Sequence, residues 1–375
     1  MEYIKEQKKK SVFKTYLIYF LCMLSFVGVR ICGSLGVFSN LSDNAFEIVY
    51  TLLIEVVVLF LLPLVLYCLF IRVKPKQVFA TCNFNKCNTK TIIVSVLLGI
   101  ILYLFTIIIS TFFNGIIALF GYSRPSSGVE MTLTMYLIQI VTVAILPAIC
   151  EEFIHRGLLL QGTKHIGFNK SIIITGILFG LIHLNITQVF YAAILGILIG
   201  YIAVISKNIW PAIIVHFMNN FISITSSYLQ TSNAAYANFM DKVYASINQV
   251  NFFVLVLVIT IFIAILLVLT YYLMSKLYKY TIIDKVNRAI NEVYNEDGAA
   301  KSNAPINLGN LEVRRLVEST TTLNLDFSSI KSPIDILMPK QTKIYRRTYK
   351  DKIFLKASVL LGVIITIFTF VWGVI

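Results

Sequence analysis

Two adjacent acids lie near the end of the fourth long apolar stretch of the chain. Glu151 and Glu152 open the sequence EEFIHR, and Arg156 follows Glu152 by four residues. Residues four apart share one face of a helix, so Glu152 and Arg156 are predicted to form an ion pair with the acid on the favourable N-terminal side. Glu151 then points elsewhere. Pro147, one turn earlier, predicts a kink that opens a hydrated cavity beside the acids.

Two histidines and an asparagine repeat the four-residue spacing in later apolar stretches. His183 follows Phe179 by four residues, and Asn220 follows His216 by four. Glycines at 176 and 180 share the helix face of His183, and such small residues let a neighbouring helix approach closely. We therefore expect His183 to face protein rather than lipid.

Together these side chains supply the groups that amide hydrolysis by water requires. A carboxylate can take a proton from water, imidazoles can orient the water or hold a metal ion, and an amide or cation can stabilise the oxyanion. The sequence contains no HExxH and no recognisable serine or cysteine nucleophile motif. Their positions along the helices predict one shared cavity nearer the cytoplasmic side. Each residue alone also fits a structural role, as a hydrogen-bonded packing residue or an interfacial ion pair.

The chain as a whole is too apolar for an ordinary soluble domain. Of its 375 residues 58% are hydrophobic and 13% charged, whereas soluble domains are about 45–50% apolar and about 25% charged. Roughly 20 apolar residues cross a bilayer as a helix. The sequence therefore predicts an all-α, polytopic membrane protein of eight to nine transmembrane helices. The nine candidate spans are 15–33, 46–71, 91–120, 131–156, 170–186, 188–206, 209–229, 251–274 and 353–374.

The positive charges of the loops predict the orientation of these spans. Lysine and arginine accumulate on the cytoplasmic side of membrane proteins, and here they cluster before the first span, between the second and third, and after the eighth. We therefore expect a cytoplasmic N-terminus. The first span should stay uncleaved, since Arg30 and Cys32 make no small-residue cleavage site. This orientation accounts for the net charge of +14, so no nucleic-acid partner is expected.

The spans fall into three blocks. Residues 1–130 hold three spans and a basic loop, and 131–230 hold four closely linked spans in which the ionisable residues recur. The chemistry is expected in this second block, because charge inside a membrane helix is costly unless it pairs, lines a cavity or works. Residues 231–375 hold two further spans around a cytoplasmic segment at about 276–352.

Two further features lie outside that second block. Glu55 is deep in the second span and is expected to face the helix bundle, where a hydrogen-bonded structural role suits it. Cys82 and Cys87 form CxxxxC in the basic loop. Without a second pair of ligands they are not expected to bind metal, and no disulfide framework is expected.

The three motifs together resemble the signature of a known family. EExxxR at 151–156, FxxxH at 179–183 and HxxxN at 216–220 are similar, in kind and order, to those of the CAAX protease and bacteriocin-processing (CPBP) family of intramembrane proteases. That family includes the type II CAAX prenyl endopeptidases and Abi-like bacterial proteins. The resemblance covers residues 131–222, and no motif departs from the pattern.

The resemblance implies an endopeptidase that hydrolyses peptide bonds of membrane-associated peptides or proteins. It implies that Glu151 activates the hydrolytic water and that Glu152 and Arg156 support it. The family's mechanism is described both as glutamate-driven and as metal-dependent, and the sequence leaves both open.

The same resemblance implies roles for the later motifs. His183 and His216 position the water or a metal ion, and Asn220 helps to hold the oxyanion. Glu151, His183 and His216 are the expected ligands should Zn²⁺ be the cofactor.

Two other functions are compatible with these residues. One is a catalytically silent membrane immunity or binding protein that uses the same cavity. The other is a transporter in which Glu55, Glu151 and His183 relay protons, although no pair of broken spans indicates the inverted repeats of that class. Lysines outnumber arginines, and isoleucine and asparagine are plentiful, which is typical of an AT-rich bacterial genome. We therefore expect the protein in a bacterial cell membrane. The expected partners are membrane lipid and a membrane-associated peptide or protein that is not prenylated.

Overall fold

The computed structural model describes residues 2–123, 131–293, 352–372 and 374, and within them every regular element is a helix. Residues 294–351, most of the expected cytoplasmic segment, lie outside the described part. The helices are numbered in chain order: α1 (Glu2–Ser34), α2 (Asp43–Ile71), α3 (Pro75–Thr81), α4 (Thr89–Leu119), α5 (Leu133–Ile166), α6 (Phe168–Ile182), α7 (Ile186–Ser206), α8 (Trp210–Ser232), α9 (Ala234–Gln249), α10 (Phe252–Val293) and α11 (Ile353–Trp372).

Each candidate span coincides with one of these helices, which confirms the all-α polytopic membrane architecture. Seven helices are long and apolar enough to cross a membrane, namely α1, α2, α4, α5, α7, α10 and α11. Helix α6 is apolar but has 15 residues, and its length of about 22 Å falls short of the ~30 Å hydrocarbon core. Helix α8 has 23 residues and a more polar composition.

Helix α5 extends further than its span prediction. It ends at Ile166, whereas we expected the span to end at Arg156. That prediction placed the charged residues at the membrane surface. Glu152 and Arg156 instead pair with each other in the protein interior, and the helix continues beyond them. Two wide π-helical turns interrupt the α-helical hydrogen bonding, at Ile140–Ile145 and Phe153–Leu159. The first turn precedes Pro147, so this proline, which has no N–H to donate, lies where the α-helical hydrogen bonding is already interrupted.

Glycines bring α6 and α7 into close contact, as expected from the sequence. A β-carbon on Gly196 would lie 3.1 Å from Cα of Gly176, and one on Gly180 would collide with the main chain of Val189. This hairpin therefore packs main chain against main chain, which sets the position of His183 at its turn.

The basic loop after α2 folds against the turn between α7 and α8. Asn208 donates from Nδ2 to the carbonyl oxygen of Asn85 (2.9 Å), and Ile209 N donates to that of Asn83 (3.2 Å). The loop and this turn therefore share one end of the bundle, which is called the lysine end because Lys74, Lys86 and Lys207 lie there.

The orientation of the bundle can be tested with Cys32, with Cys82 as the unreactive control. Cys32 is exposed near the end of α1, so a membrane-impermeant maleimide is expected to label it in intact cells. Cys82 is buried beside α3, and burial raises the pKa of its thiol to about 12. Only ~10⁻⁴ of it is thiolate at pH 8, so it should resist labelling even in permeabilised cells. Labelling is measured in variants that retain a single cysteine. Labelling of Cys32 only after permeabilisation would contradict the predicted orientation.

Candidate active site

The predicted ion pair of EExxxR is present and lies in the interior. Arg156 donates from Nη1 to Oε1 of Glu152 at 2.8 Å, and both side chains are 0% exposed. An interfacial anchor would reach water, so the burial excludes that structural role. Other polar atoms of the pair find partners on neighbouring helices, while Oε2 of Glu152 and Nε of Arg156 have none among the described residues.

The pair joins three other helices to α5. Oε1 of Glu152 also accepts a hydrogen bond from Nδ1 of His216 on α8, at 2.9 Å. Arg156 donates from Nη2 to the carbonyl oxygen of Gly196 on α7 at 2.7 Å, and its guanidinium lies 4.6 Å from the ring centroid of Phe179 on α6. Glu152 and Arg156 therefore fix the relative positions of the helices that carry the other motifs.

Phe179 gives the FxxxH motif its physical basis. Its ring makes edge contacts with the imidazoles of His155, His183 and His216, at centroid distances of 5.1, 5.3 and 5.4 Å. Edge-to-face packing of aromatic rings at such distances is favourable and fixes ring orientation. The phenylalanine is thus the packing centre around which the imidazoles are arranged.

Four of the six predicted site residues line one cavity of about 440 Å³, namely Glu151, His183, His216 and Asn220. Glu151 is 9% exposed, and its Oε2 has no hydrogen-bond partner among the described residues. Glu152 and Arg156 are not among the lining residues. The structure therefore places Glu151 at the cavity surface and its neighbour Glu152 behind His216.

His183 lies at a turn and not inside its helix. Helix α6 ends at Ile182, so His183 is its C-terminal cap, and Leu184 follows with φ of +50°. Arg30 of α1 donates from Nη1 to the carbonyl oxygen of His183 at 3.2 Å. This contact satisfies a main-chain group that the helix leaves unpaired within the membrane.

Both cavity histidines donate from Nδ1. The Nδ1 of His183 lies 2.8 Å from the carbonyl oxygen of Phe179, and that of His216 faces the Glu152 carboxylate. Carbonyl and carboxylate oxygens only accept, so Nδ1 carries the proton in each neutral ring. Each Nε2 therefore keeps a lone pair that can hold a water hydrogen, take a proton or bind a metal ion.

Asn220 is oriented by two hydrogen bonds. Its Nδ2 donates to the carbonyl oxygen of Val143 at 2.9 Å, and its Oδ1 accepts from Nδ2 of Asn219 at 3.3 Å. An amide nitrogen carries two hydrogens. One hydrogen of Asn220 therefore stays available to an oxyanion in the cavity.

The cavity lies away from the lysine end. Its wall on α4 runs from Tyr103 to Asn114, in the half of the helix remote from Thr89. Its rim residues Thr111 and Ser223 are exposed. Glu151 lies farther from the lysine end than its distance from the predicted helix end indicated, because α5 extends ten residues beyond Arg156. A site nearer the cytoplasmic side stays a prediction, because it depends on the orientation of the bundle.

The donor set fits a zinc ion in chemistry, while the side-chain geometry does not form a closed site. Two imidazole Nε2 atoms and a carboxylate are ligands that catalytic zinc accepts, and the Nδ1 bonds of His183 and His216 are of the kind that orient metal ligands. Among the described residues, no group of three His, Cys, Asp or Glu side chains converges enough to hold a metal ion. The prediction that Glu151, His183 and His216 bind Zn²⁺ therefore stays a prediction.

Sequence reasoning missed the buried histidine inside EEFIHR. His155 is 0% exposed; its Nδ1 lies 2.7 Å from the carbonyl oxygen of Glu151, and its Nε2 lies 3.2 Å from the hydroxyl of Tyr19 on α1. It holds the main chain of Glu151 from the side opposite the cavity. The spacing alone carried a signal, because His155 follows Glu151 by four residues.

Glu55 faces the bundle, as predicted, and is 7% exposed. It belongs to the segment of α2, Leu52–Leu61, that packs against Leu146–Glu152 of α5, but Glu55 is not among the residues that line the cavity. It therefore lies behind the catalytic candidate rather than beside a bound molecule.

Comparison with known proteins bears on the same helices. A family model described as type II CAAX prenyl endopeptidase Rce1-like matches residues 133–222. The matched stretch is about a quarter of the chain and contains all three motifs, the ion pair and the cavity histidines. Among curated proteins and solved structures, nothing matches the chain significantly. This match confirms the resemblance to the CAAX protease family that the three motifs indicated, over the helices that carry them.

Proposed function

We propose that the chain is an intramembrane endopeptidase that hydrolyses peptide bonds of membrane-associated peptides or proteins in a bacterial cell membrane, with its N-terminus in the cytoplasm. The observation that carries the proposal is the shared cavity, whose wall includes a carboxylate, two imidazoles and an amide, from Glu151, His183, His216 and Asn220. The match of residues 133–222 to a protease family supports hydrolysis over transport.

Each cavity residue has a separate role in the proposed hydrolysis. Glu151 takes one proton from a water molecule while the water oxygen bonds to the carbonyl carbon, and His183 and His216 hold that water through Nε2. The carbonyl electrons move onto its oxygen, where the free amide hydrogen of Asn220 stabilises the charge. The C–N bond then breaks as the proton on Glu151 passes to the leaving nitrogen.

Behind the cavity, Glu152 and Arg156 hold His216 in the tautomer that this step needs. Should Zn²⁺ be resident, Glu151, His183 and His216 would hold it, and it would make the bound water more acidic.

The proposal is tested by comparing membrane peptides from cells that make the wild-type chain or His183→Ala. Peptide fragments present with the wild type are expected to vanish with the variant, at equal amounts of protein in the membrane. The assay is repeated on purified protein with and without a chelator, which decides between metal-dependent and glutamate-only hydrolysis. An identical fragment set in both strains, with full complementation by the variant, would favour the catalytically silent binding protein.

A further inference from the structure

The wall of the cavity on α4 carries a line of polar side chains. Tyr103, Thr106, Ser110 and Asn114 follow one another at intervals of three or four residues and line the cavity together, so they share one helix face. The rest of α4 is strongly apolar, with a mean hydropathy of 3.0 in its most apolar window. Polar groups on a membrane helix are costly unless they meet polar partners, and this wall faces the catalytic candidates.

The remaining walls have the same uncharged polar character. Of the 18 described residues that line the cavity, the apolar ones are Ile107, Val143, Pro147 and Ile224. Among these lining residues, Glu151 and the two histidines are the ones that can carry charge near pH 7, since the tyrosines are neutral there. Arg156, the nearest buried cation of the motifs, is already engaged by Glu152 and Gly196.

Two residues that line the cavity have a side-chain amide oxygen without a hydrogen-bond donor. These oxygens are Oδ1 of Asn114 and Oδ1 of Asn219, both shielded from solvent, and they have no partner among the described residues. Both amide nitrogens are engaged, by Asn220 Oδ1 at 3.3 Å and by Ser110 Oγ at 3.1 Å, which leaves the oxygens free to accept. Buried acceptors of this kind are matched by N–H donors such as those of a peptide main chain.

From these features we propose that the cavity binds an extended, uncharged and unlipidated stretch of peptide, and that Asn114 and Asn219 accept hydrogen bonds from its main chain. The inference rests on the proposed endopeptidase function and names its substrate class. The wall from Tyr103 to Asn114 spans about 16 Å along the helix, which accommodates roughly five extended residues. A prenyl chain would need apolar walls, and a free C-terminal carboxylate would need a cation.

The test measures binding without turnover, using the full-length Glu151→Gln protein in detergent. The probe is a fluorescein-labelled decapeptide of Ala, Ser, Thr and Asn with an amidated C-terminus, followed by fluorescence anisotropy. Unlabelled competitors are the same peptide, versions with Asp or Lys at the centre, and one with a farnesylated cysteine three residues before a free carboxylate. The neutral peptide is expected to compete at least tenfold better than each charged version and no worse than the farnesylated one.

Variants of the wall give a second readout. Asn114→Leu is expected to weaken probe binding about tenfold, the effect of one lost hydrogen bond in a desolvated site. In the otherwise wild-type enzyme it should raise KM for the neutral peptide by a similar factor and leave kcat within about twofold. The control is Thr260→Val, which alters an exposed hydroxyl on α10 and should change neither value.

The outcomes separate this inference from the proposed function. Absent probe binding, stronger competition by a charged or farnesylated peptide, or unchanged binding by Asn114→Leu overturns the inference and leaves the endopeptidase proposal standing. Selective binding of the neutral probe, with no cleavage of it by the wild-type chain, supports the binding site and contradicts hydrolysis.

Discussion

Glu151→Gln is expected to lower kcat for peptide hydrolysis by about 10²–10⁴-fold, the usual contribution of a general base. The carboxylate lies at the cavity surface with one oxygen unpartnered among the described residues. Glutamine keeps the size of the side chain but cannot take a proton from water. The main-chain carbonyl of residue 151 still accepts the His155 hydrogen bond, so the helix around it is expected to stay folded.

The measurement is the initial rate of cleavage by purified protein in liposomes, with size-exclusion behaviour as the check on folding. Glu47→Gln is a matched control, because Glu47 accepts a hydrogen bond from Thr142 at 3.1 Å and is not among the cavity-lining residues. It should retain wild-type kcat. A Glu151→Gln protein with more than a tenth of the wild-type rate would remove Glu151 from the role of base.

Local periodicity made several features predictable from the sequence. The ion pair between Glu152 and Arg156 follows from a four-residue spacing on one helix, and the structure has it at 2.8 Å. The close approach of α6 and α7 follows from Gly176 and Gly180, where a side chain would collide with the facing helix. Such inferences need only the geometry of one helix and the small size of glycine.

Contacts between distant parts of the chain were not predictable in this way. Oε1 of Glu152 bonds His216, 64 residues later, and Arg30 bonds the carbonyl of His183, 153 residues later. No spacing rule links such residues, because their meeting depends on how whole helices pack. The sequence therefore indicated which side chains could do chemistry but not which partner orients each one.

The polar wall of α4 went unnoticed for a different reason. Thr106 donates its hydroxyl to the carbonyl of Leu102 at 2.8 Å, and such a bond makes a threonine inconspicuous in an apolar span. Asn114 likewise bonds Ser110 one turn earlier. Polar residues that bond within their own helix are tolerated in an apolar span, so their spacing alone does not indicate a cavity, and their common face becomes informative once the cavity is known.

Arg156→Met is expected to destabilise the folded protein by about 3–5 kcal/mol, because it leaves the Glu152 carboxylate buried without its countercharge. It also removes the donor to the Gly196 carbonyl and the contact with Phe179. The free energy of unfolding is measured by SDS titration in mixed micelles. Arg30→Met is the matched control: it removes a partly exposed arginine with one hydrogen bond to a carbonyl and should cost about 1 kcal/mol.

A double variant separates lost charge balance from lost packing. In Glu152→Gln/Arg156→Met no carboxylate remains at position 152, and the amide oxygen there can still accept from Nδ1 of His216. The double variant is therefore expected to unfold at higher SDS than Arg156→Met alone, although it carries one more substitution. Equal or lower stability of the double variant would mean that Arg156 acts through packing and its bond to Gly196, and that the charge of Glu152 is tolerated without it.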